Sequence, residues 1–528
     1  MHEKFNGRFD YSAQILDGNE ICDLSDDYTL PDYMPAVGRV ISCSASVAPP
    51  ALYSTGGTIE YAGGIRYRLL YESADDKSVW CAELPAEYDL IISSDRAPIP
   101  ADHAELSGLA CATAENVTAR ITAPRRLTVK SRVKLATPLH AKAQFELNMR
   151  GDLKNSDDIK VLEGRAQCGM TTTTSSKPEI LTDKITRAEA GLSPTDEIRI
   201  ISSRGDVMLS QIQPFDGGAD CKGEINVSLL ICKDGEYERP RRLTRKIPFS
   251  IPVSFESDLP ASAKPIGYRG YGSAPSVTST VDEDGINLEA NLLLCAEAAA
   301  VTSFNYVKDL YSRSADCETS AVRIALLTPV HCQNRNATVS ASADLSALGA
   351  DSGIKLCDIR SAIIPDVSAE LNESGRIVIN GKQKITAITD NGAELLPIEF
   401  ESEFKYTADT PDATPANPKI SVIASVSDCK GRLDGTRLEC DCELSFAITV
   451  SEQSEITALG EVNLMPTYTK AKSSSCIRVC YPVSGETLWD IAKKYRVDVD
   501  TIAEKNSLDT VSSPDDPSSL AKASFLII

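Results

Sequence analysis

One strand pattern returns three times along this chain, and it restricts the fold more than any other feature. From Ile59 onward Tyr61, Gly63, Ile65, Tyr67, Leu69 and Tyr71 occupy every second position, as in a strand with one buried face. Ile41, Cys43, Ala45 and Val47 alternate just before it, and the Gly- and Pro-rich stretch 48–57 reads as the turn of a long hairpin. The strand comes back at Cys221, Gly223, Ile225, Val227, Leu229 and Ile231, and again at Ile377, Ile379, Gly381, Gln383, Ile385 and Ala387. Its first residues, Ile59, Cys221 and Ile377, are 162 and 156 positions apart. A second hairpin type keeps nearly the same spacing: with Val129, Ile286 and Leu438 as equivalents, the intervals are 157 and 152 residues. An apolar residue followed by proline comes after each first hairpin, at Leu84-Pro85, Ile247-Pro248 and Leu396-Pro397, and proline marks a strand's start or an edge. Two series sharing one period imply tandem units.

The expected fold is therefore mainly β, with three tandem antiparallel β-sandwich-like modules over residues 1–160, 161–325 and 326–470. Polar stretches such as Thr171 to Lys177 and Thr407 to Pro418 read as loops. The basic cluster from Arg239 to Lys246 reads as charge that keeps an edge strand from pairing with other chains, ahead of a docking patch for an acidic partner.

Charge narrows the partners. With 54 Lys+Arg against 75 Asp+Glu the net charge is −21, which disfavours nucleic acid and anionic membranes, since such a surface repels phosphate. No apolar run approaches the roughly 18 residues of a membrane span, and Met1 to Asp10 lacks a signal-peptide core, so the expectation is a protein that stays where it is made, without membrane insertion. The 16 cysteines then read as reduced thiols in cores. Cys440 and Cys442 share one face of a strand, Cys476 and Cys480 bracket another, and neither pair has the matched second pair of a zinc site.

After about residue 475 the period changes. A short strand near Ile477 to Tyr481 is followed by Leu488, Ile491, Ala492 and Tyr495 on one helical face, with Thr487 and Asp490 spaced as a capping box. A second short helix, capped by Asp498 with Val499, Ile502 and Ala503 inward, ends near Asn506, and Ser524 to Ile528 can return as a strand. The segment Val483 to Asn506 closely resembles a LysM domain, so residues 476–528 are expected to form a small β-α-α-β LysM unit. LysM modules commonly bind N-acetylglucosamine chains in a groove between two loops. That resemblance places the binding groove at Gly485, Glu486 and Thr487 on one lip and Asn506, Ser507 and Leu508 on the other. Glu486 stands where Asp is usual, and Leu520 to Lys522 replace the customary Pro-Gly turn. Leu488, Trp489, Ile491, Ala492 and Tyr495 are read as core, with no ligand role.

Three β modules followed by one LysM resemble the SipL-type spore coat morphogenesis proteins, whose repeated module is the SPOCS domain. This second resemblance implies a spore envelope scaffold in the mother-cell cytoplasm, recruited to the forespore surface through docking of its LysM domain to the morphogenetic ATPase SpoIVA, with other coat proteins as further partners. The alternative is a peptidoglycan-binding protein acting through the LysM groove.

His2, His103, His140 and His331 lie in separate segments, and His331 and Cys332 are strand neighbours that point to opposite faces. Gly56-Gly57 and Gly63-Gly64 belong to a hairpin rather than a phosphate loop, and Asp26-Asp27, Asp75-Asp76 and Asp515-Asp516 read as solvated turn charge. No enzyme activity, cofactor or metal is expected.

Overall fold

Burial with a period of two runs through every copy of the repeated strand: Ile59, Tyr61, Ile65, Tyr67, Leu69 and Tyr71 are all buried, as are Ile225, Val227, Leu229 and Ile231, and Ile377, Ile379, Ile385 and Ala387. The computed structural model describes residues 7–16, 18–55, 58–93, 106–136, 138–150, 158–174, 178–233, 239–348, 353–409, 415–466, 478–508, 514–520 and 524–528. Cys476, His2 and His103 lie outside the described residues.

The first sandwich comprises β1 (Arg8–Leu16), β2 (Asn19–Thr29), β3 (Val37–Val47), β4 (Ala51–Thr55), β5 (Thr58–Ser73), β6 (Val79–Ser93), β7 (Leu106–Ser107), β8 (Cys111–Ala123), β9 (Arg126–Ala136) and β10 (Leu139–Glu146), while the short β11 (Asn148–Arg150) pairs in parallel with residues 461–463 of the third. The second comprises β12 (Ile159–Thr173), β13 (Pro178–Thr186), β14 (Ile198–Phe215), β15 (Gly218–Lys233), β16 (Arg241–Ser254), β17 (Lys264–Val281) and β18 (Gly285–Ser312). The third comprises β19 (Ala315–Asp344), β20 (Lys355–Leu371), β21 (Ile377–Asp390), β22 (Leu395–Ala408), β23 (Pro418–Asp434) and β24 (Arg437–Pro466). Thr171 to Thr173, read as loop from composition, pair with Ala299 to Glu297 as the end of β12.

Connectivity is the same in each sandwich. One sheet is a meander, β3-β5-β6, β14-β15-β16 or β20-β21-β22; the other sets a hairpin beside an earlier strand, β2-β9-β8, β13-β18-β17 or β19-β24-β23. Each pair of sheets encloses its own apolar core. Gly63, Gly223 and Gly381 lie across the ladder from Tyr88, Phe249 and Phe404. A Cβ on any of the three would come within 2.8 Å of the facing ring, so the glycine makes room for an aromatic laid over the strand. These glycines fix the true repeat at 160 and 158 residues. The prolines do not share that register: Pro85, Pro248 and Pro397 face Arg66, Glu224 and Ile388. Their strands are edge strands, where a missing N–H is tolerated at many positions.

Equivalent residues also join the sandwiches. Each meander opens with a bulge at the same place, at Ile41, Ile201 and Cys357. These three pack in one buried cluster with Leu70, Leu230 and Ile388, each seven residues past its glycine. A bulge re-aims one side chain out of the alternation; here it re-aims three toward a common centre. The basic cluster lies on edge strand β16 and its approach, where it serves this chain: Arg239 pairs with Asp390, Arg242 reaches Asp358 and Asp428, and Arg245 reaches Asp183.

Each sandwich is continued by a narrow ribbon: β1 with β10, the end of β18 with β12, and the start of β19 with the end of β24, to which β11 adds a third strand. Phe9, Phe304, Cys168, Ile324 and Ile456 from all three ribbons share one cluster, with Phe9 stacked on Phe304 at 4.4 Å and on Phe145 at 4.9 Å. The last unit is β25 (Val479–Cys480), α1 (Leu488–Tyr495), α2 (Val499–Lys505) and β26 (Leu526–Ile527), with β25 and β26 antiparallel. Among the described residues no helix is long and apolar enough to cross a membrane.

Candidate functional site

The carboxyl-terminal unit is built from short local devices. Thr487 caps α1: its hydroxyl accepts from the Asp490 N–H at 3.1 Å, while the Asp490 carboxylate accepts from the Thr487 N–H at 3.0 Å. This is the capping box expected from the spacing. Just before it, Glu486 N–H donates to the Val483 carbonyl, and the Glu486 carboxylate accepts from Val483 N–H at 3.1 Å. The turn needs a left-handed residue, supplied by Gly485 at φ +89°.

The second lip is the end of α2. Asn506 Nδ2 donates to Ile502 O at 2.7 Å and to Ile527 O at 2.8 Å, and Asn506 Oδ1 accepts from Ile527 N–H at 2.7 Å. Ser507 takes a left-handed φ of +51°, and Leu508 N–H closes the helix on Ala503 O. The resemblance thus assigns Gly485, Glu486 and Thr487 to one turn and Asn506, Ser507 and Leu508 to another; no hydrogen bond or ion pair among the described residues joins the two groups. Gly485 and Ser507 are exposed, Thr487 is buried, and Glu486, Asn506 and Leu508 are half-buried. The polar side chains of Glu486, Thr487 and Asn506 all bond within the unit itself.

Two further surfaces escaped sequence reasoning. The first holds the unit to the rest of the chain. Trp489 is buried and donates its Nε1–H to Asp309 at 2.8 Å; Lys493 reaches both oxygens of the same carboxylate at 2.7 Å. Tyr311 meets the Trp489 ring edge-on at 5.0 Å and donates to Val497 O at 2.7 Å. Burial pushes the Tyr311 phenol up to about 12, so it stays a donor through the physiological range. Lys308 with Asp515, Lys160 with Asp498, and Arg496 with Asp316 surround this contact. All of these partners lie at the tip of the β12–β18 ribbon and the start of β19, 180 or more residues away, and no local pattern marks them.

The second surface is apolar. Cys480 and Leu526 face the core, so Val479, Tyr481 and Phe525 alternate to the outside; they are 48%, 73% and 50% exposed, and Val483 beside the first lip is 68% exposed. In β19, burial pushes the Cys332 thiol up to about 12, which leaves it protonated at neutral pH, and its sulfur accepts from Thr449.

Residues 483–515 match the family model of the LysM domain. No curated protein and no solved structure matches the chain.

Proposed function

We propose that this chain is a non-catalytic spore envelope scaffold of the SipL type, whose three SPOCS-like sandwiches form a platform and whose LysM domain docks a SpoIVA-like morphogenetic protein at the forespore surface. The observation that carries the reading is the division of labour on the LysM surface. One face, through Trp489, is bonded to the chain's own ribbon; the polar groups of the lips are bonded internally; and the face left open presents Tyr481, Val483 and Phe525. Aromatic and aliphatic side chains in a small exposed patch suit anchors for a protein. The LysM segment from Arg478 carries six Lys+Arg and eight Asp+Glu, so its shape rather than its charge selects the partner.

Peptidoglycan binding is the second reading, favoured by the LysM match itself. On that reading Gly485 and Ser507 offer exposed backbone to the glycan and Tyr481 a ring for stacking.

A fluorescent fusion of the full chain in a sporulating cell separates these readings. The scaffold predicts a ring around the forespore that becomes diffuse when the SpoIVA-like protein is deleted. Signal spread evenly through the mother cell, or a ring indifferent to that deletion, contradicts it.

A further inference from the structure

We propose that the junction of the three sandwiches binds a phosphate-class oxyanion, with Arg360 as its principal ligand. A cavity of about 260 Å³ opens where β3, β14 and β20 approach one another. That is smaller than the roughly 300–1,000 Å³ of pockets for larger organic ligands, and suits an ion or a charged head group. Each sandwich delivers one guanidinium to its wall. Arg204 and Arg360 lie three residues past the bulges at Ile201 and Cys357. In the first sandwich the equivalent position is Ser44, and the guanidinium comes from Arg68, its partner across the ladder.

Three cations gathered in an interior require compensation. Arg204 has it: Asp358 accepts two hydrogen bonds at 2.6 and 3.2 Å, and the Ile359 carbonyl accepts another. Arg68, 7% exposed, donates to Ser46 and to Pro275 O and lies 3.5 Å from Glu83. Lys384 is held by Glu399 at 2.6 Å. Arg360 has no hydrogen-bond or ion-pair partner among the described residues, whereas the Nε of Arg68 lies against Glu83 and the Nε of Arg204 is closed off from solvent. Burial and the charge of Arg204 both push the Arg360 guanidinium below its ordinary pKa, while Asp358 and Glu399 oppose them without bonding to it. The wall also carries acids. Glu401 is exposed, Glu399 is held by Lys384, Glu115 is half-buried, and burial pushes the Asp206 carboxyl upward while Arg204, Arg242 and Arg68 hold it down. An oxyanion on Arg360 supplies acceptors to the one guanidinium of the wall that lacks a bonded partner among the described residues, in the geometry guanidinium favours.

The test is calorimetric titration and thermal unfolding of the full chain at constant ionic strength in chloride. Inorganic phosphate is one probe, and glycerol phosphate, a monoester, is the other. Saturable binding is expected, at least tenfold weaker in Arg360→Gln and intermediate in Arg360→Lys. Binding of phosphate alone identifies the free ion; tighter binding of the monoester identifies a head group. Without either probe Arg360→Gln should melt at or above the parent temperature, since a half-buried charge without a bonded partner is gone. The proposal is overturned by absence of saturable binding to both probes, by equal affinity in Arg360→Gln, or by a lower melting temperature or failed folding of that variant in chloride, which would reveal an internal partner.

Discussion

Asn506 joins the end of α2 to the final strand through both ends of one amide, accepting from Ile527 N–H and donating to Ile527 O. Few other contacts hold that strand, since β25 and β26 pair over two residues each. Asn506→Ala leaves two half-buried backbone groups without partners, which costs about 1–3 kcal/mol for a group so orphaned. Faster hydrogen exchange at Ile527 and earlier unfolding of the LysM unit should follow; unchanged exchange there would show that the amide is dispensable. At this scale the sequence was informative where chemistry is local. Thr487 and Asp490 form the capping box their spacing predicts, and Leu488, Ile491 and Ala492 are buried as their helical period requires. Trp489 was only half legible: it is buried, as a core residue is, but its indole N–H is bonded to Asp309. Nothing around Asp309 in the sequence distinguishes it from any polar residue on an alternating strand.

The repeated element is a strand crossed by an aromatic over a glycine. Gly223 is the most constrained of the three, because a Cβ there would lie 2.1 Å from the Met208 backbone carbonyl and 2.8 Å from the Phe249 ring. Gly64, next to the equivalent Gly63, would meet nothing within 4 Å. Gly223→Ala should therefore destabilise the chain by about 1–3 kcal/mol through overpacking. Gly64→Ala should be neutral or stabilise by about 0.4–1 kcal/mol by restricting the unfolded chain. Denaturant midpoints of the two variants decide; equal effects would remove the packing explanation. Alternation made the strand itself readable, but counting from the first apolar residue misplaced the second copy by two positions, since Cys221 precedes its glycine by two and Ile59 precedes Gly63 by four. The repeated apolar-Pro pairs shared an edge location without sharing a register, because edge strands accept proline at more than one site.

Across the whole molecule, the repeat becomes an assembly. The copied bulges at Ile41, Ile201 and Cys357 aim apolar groups at one centre, the ribbons meet around Phe9, and the cations of β16 reach the third sandwich. Ile41 and Ile201, Ile201 and Cys357, Phe9 and Phe304, and Arg242 and Asp428 are 156 to 295 positions apart, so periodicity could count the sandwiches but not arrange them. Acidity, read first as exclusion of phosphate, proves compatible with guanidinium groups concentrated at the junction. Placement of the LysM domain follows from the same long-range logic. It sits on the β12–β18 ribbon with Tyr481, Val483 and Phe525 outward. The most direct test of the scaffold reading is quantitative binding of the full chain to a purified SpoIVA-like protein, run beside sedimentation with insoluble peptidoglycan. Saturable binding to the protein is predicted, weakened at least tenfold by combining Tyr481→Ser with Val483→Ser, with little retention on the glycan. Strong retention on peptidoglycan, without affinity for the protein, would contradict the account.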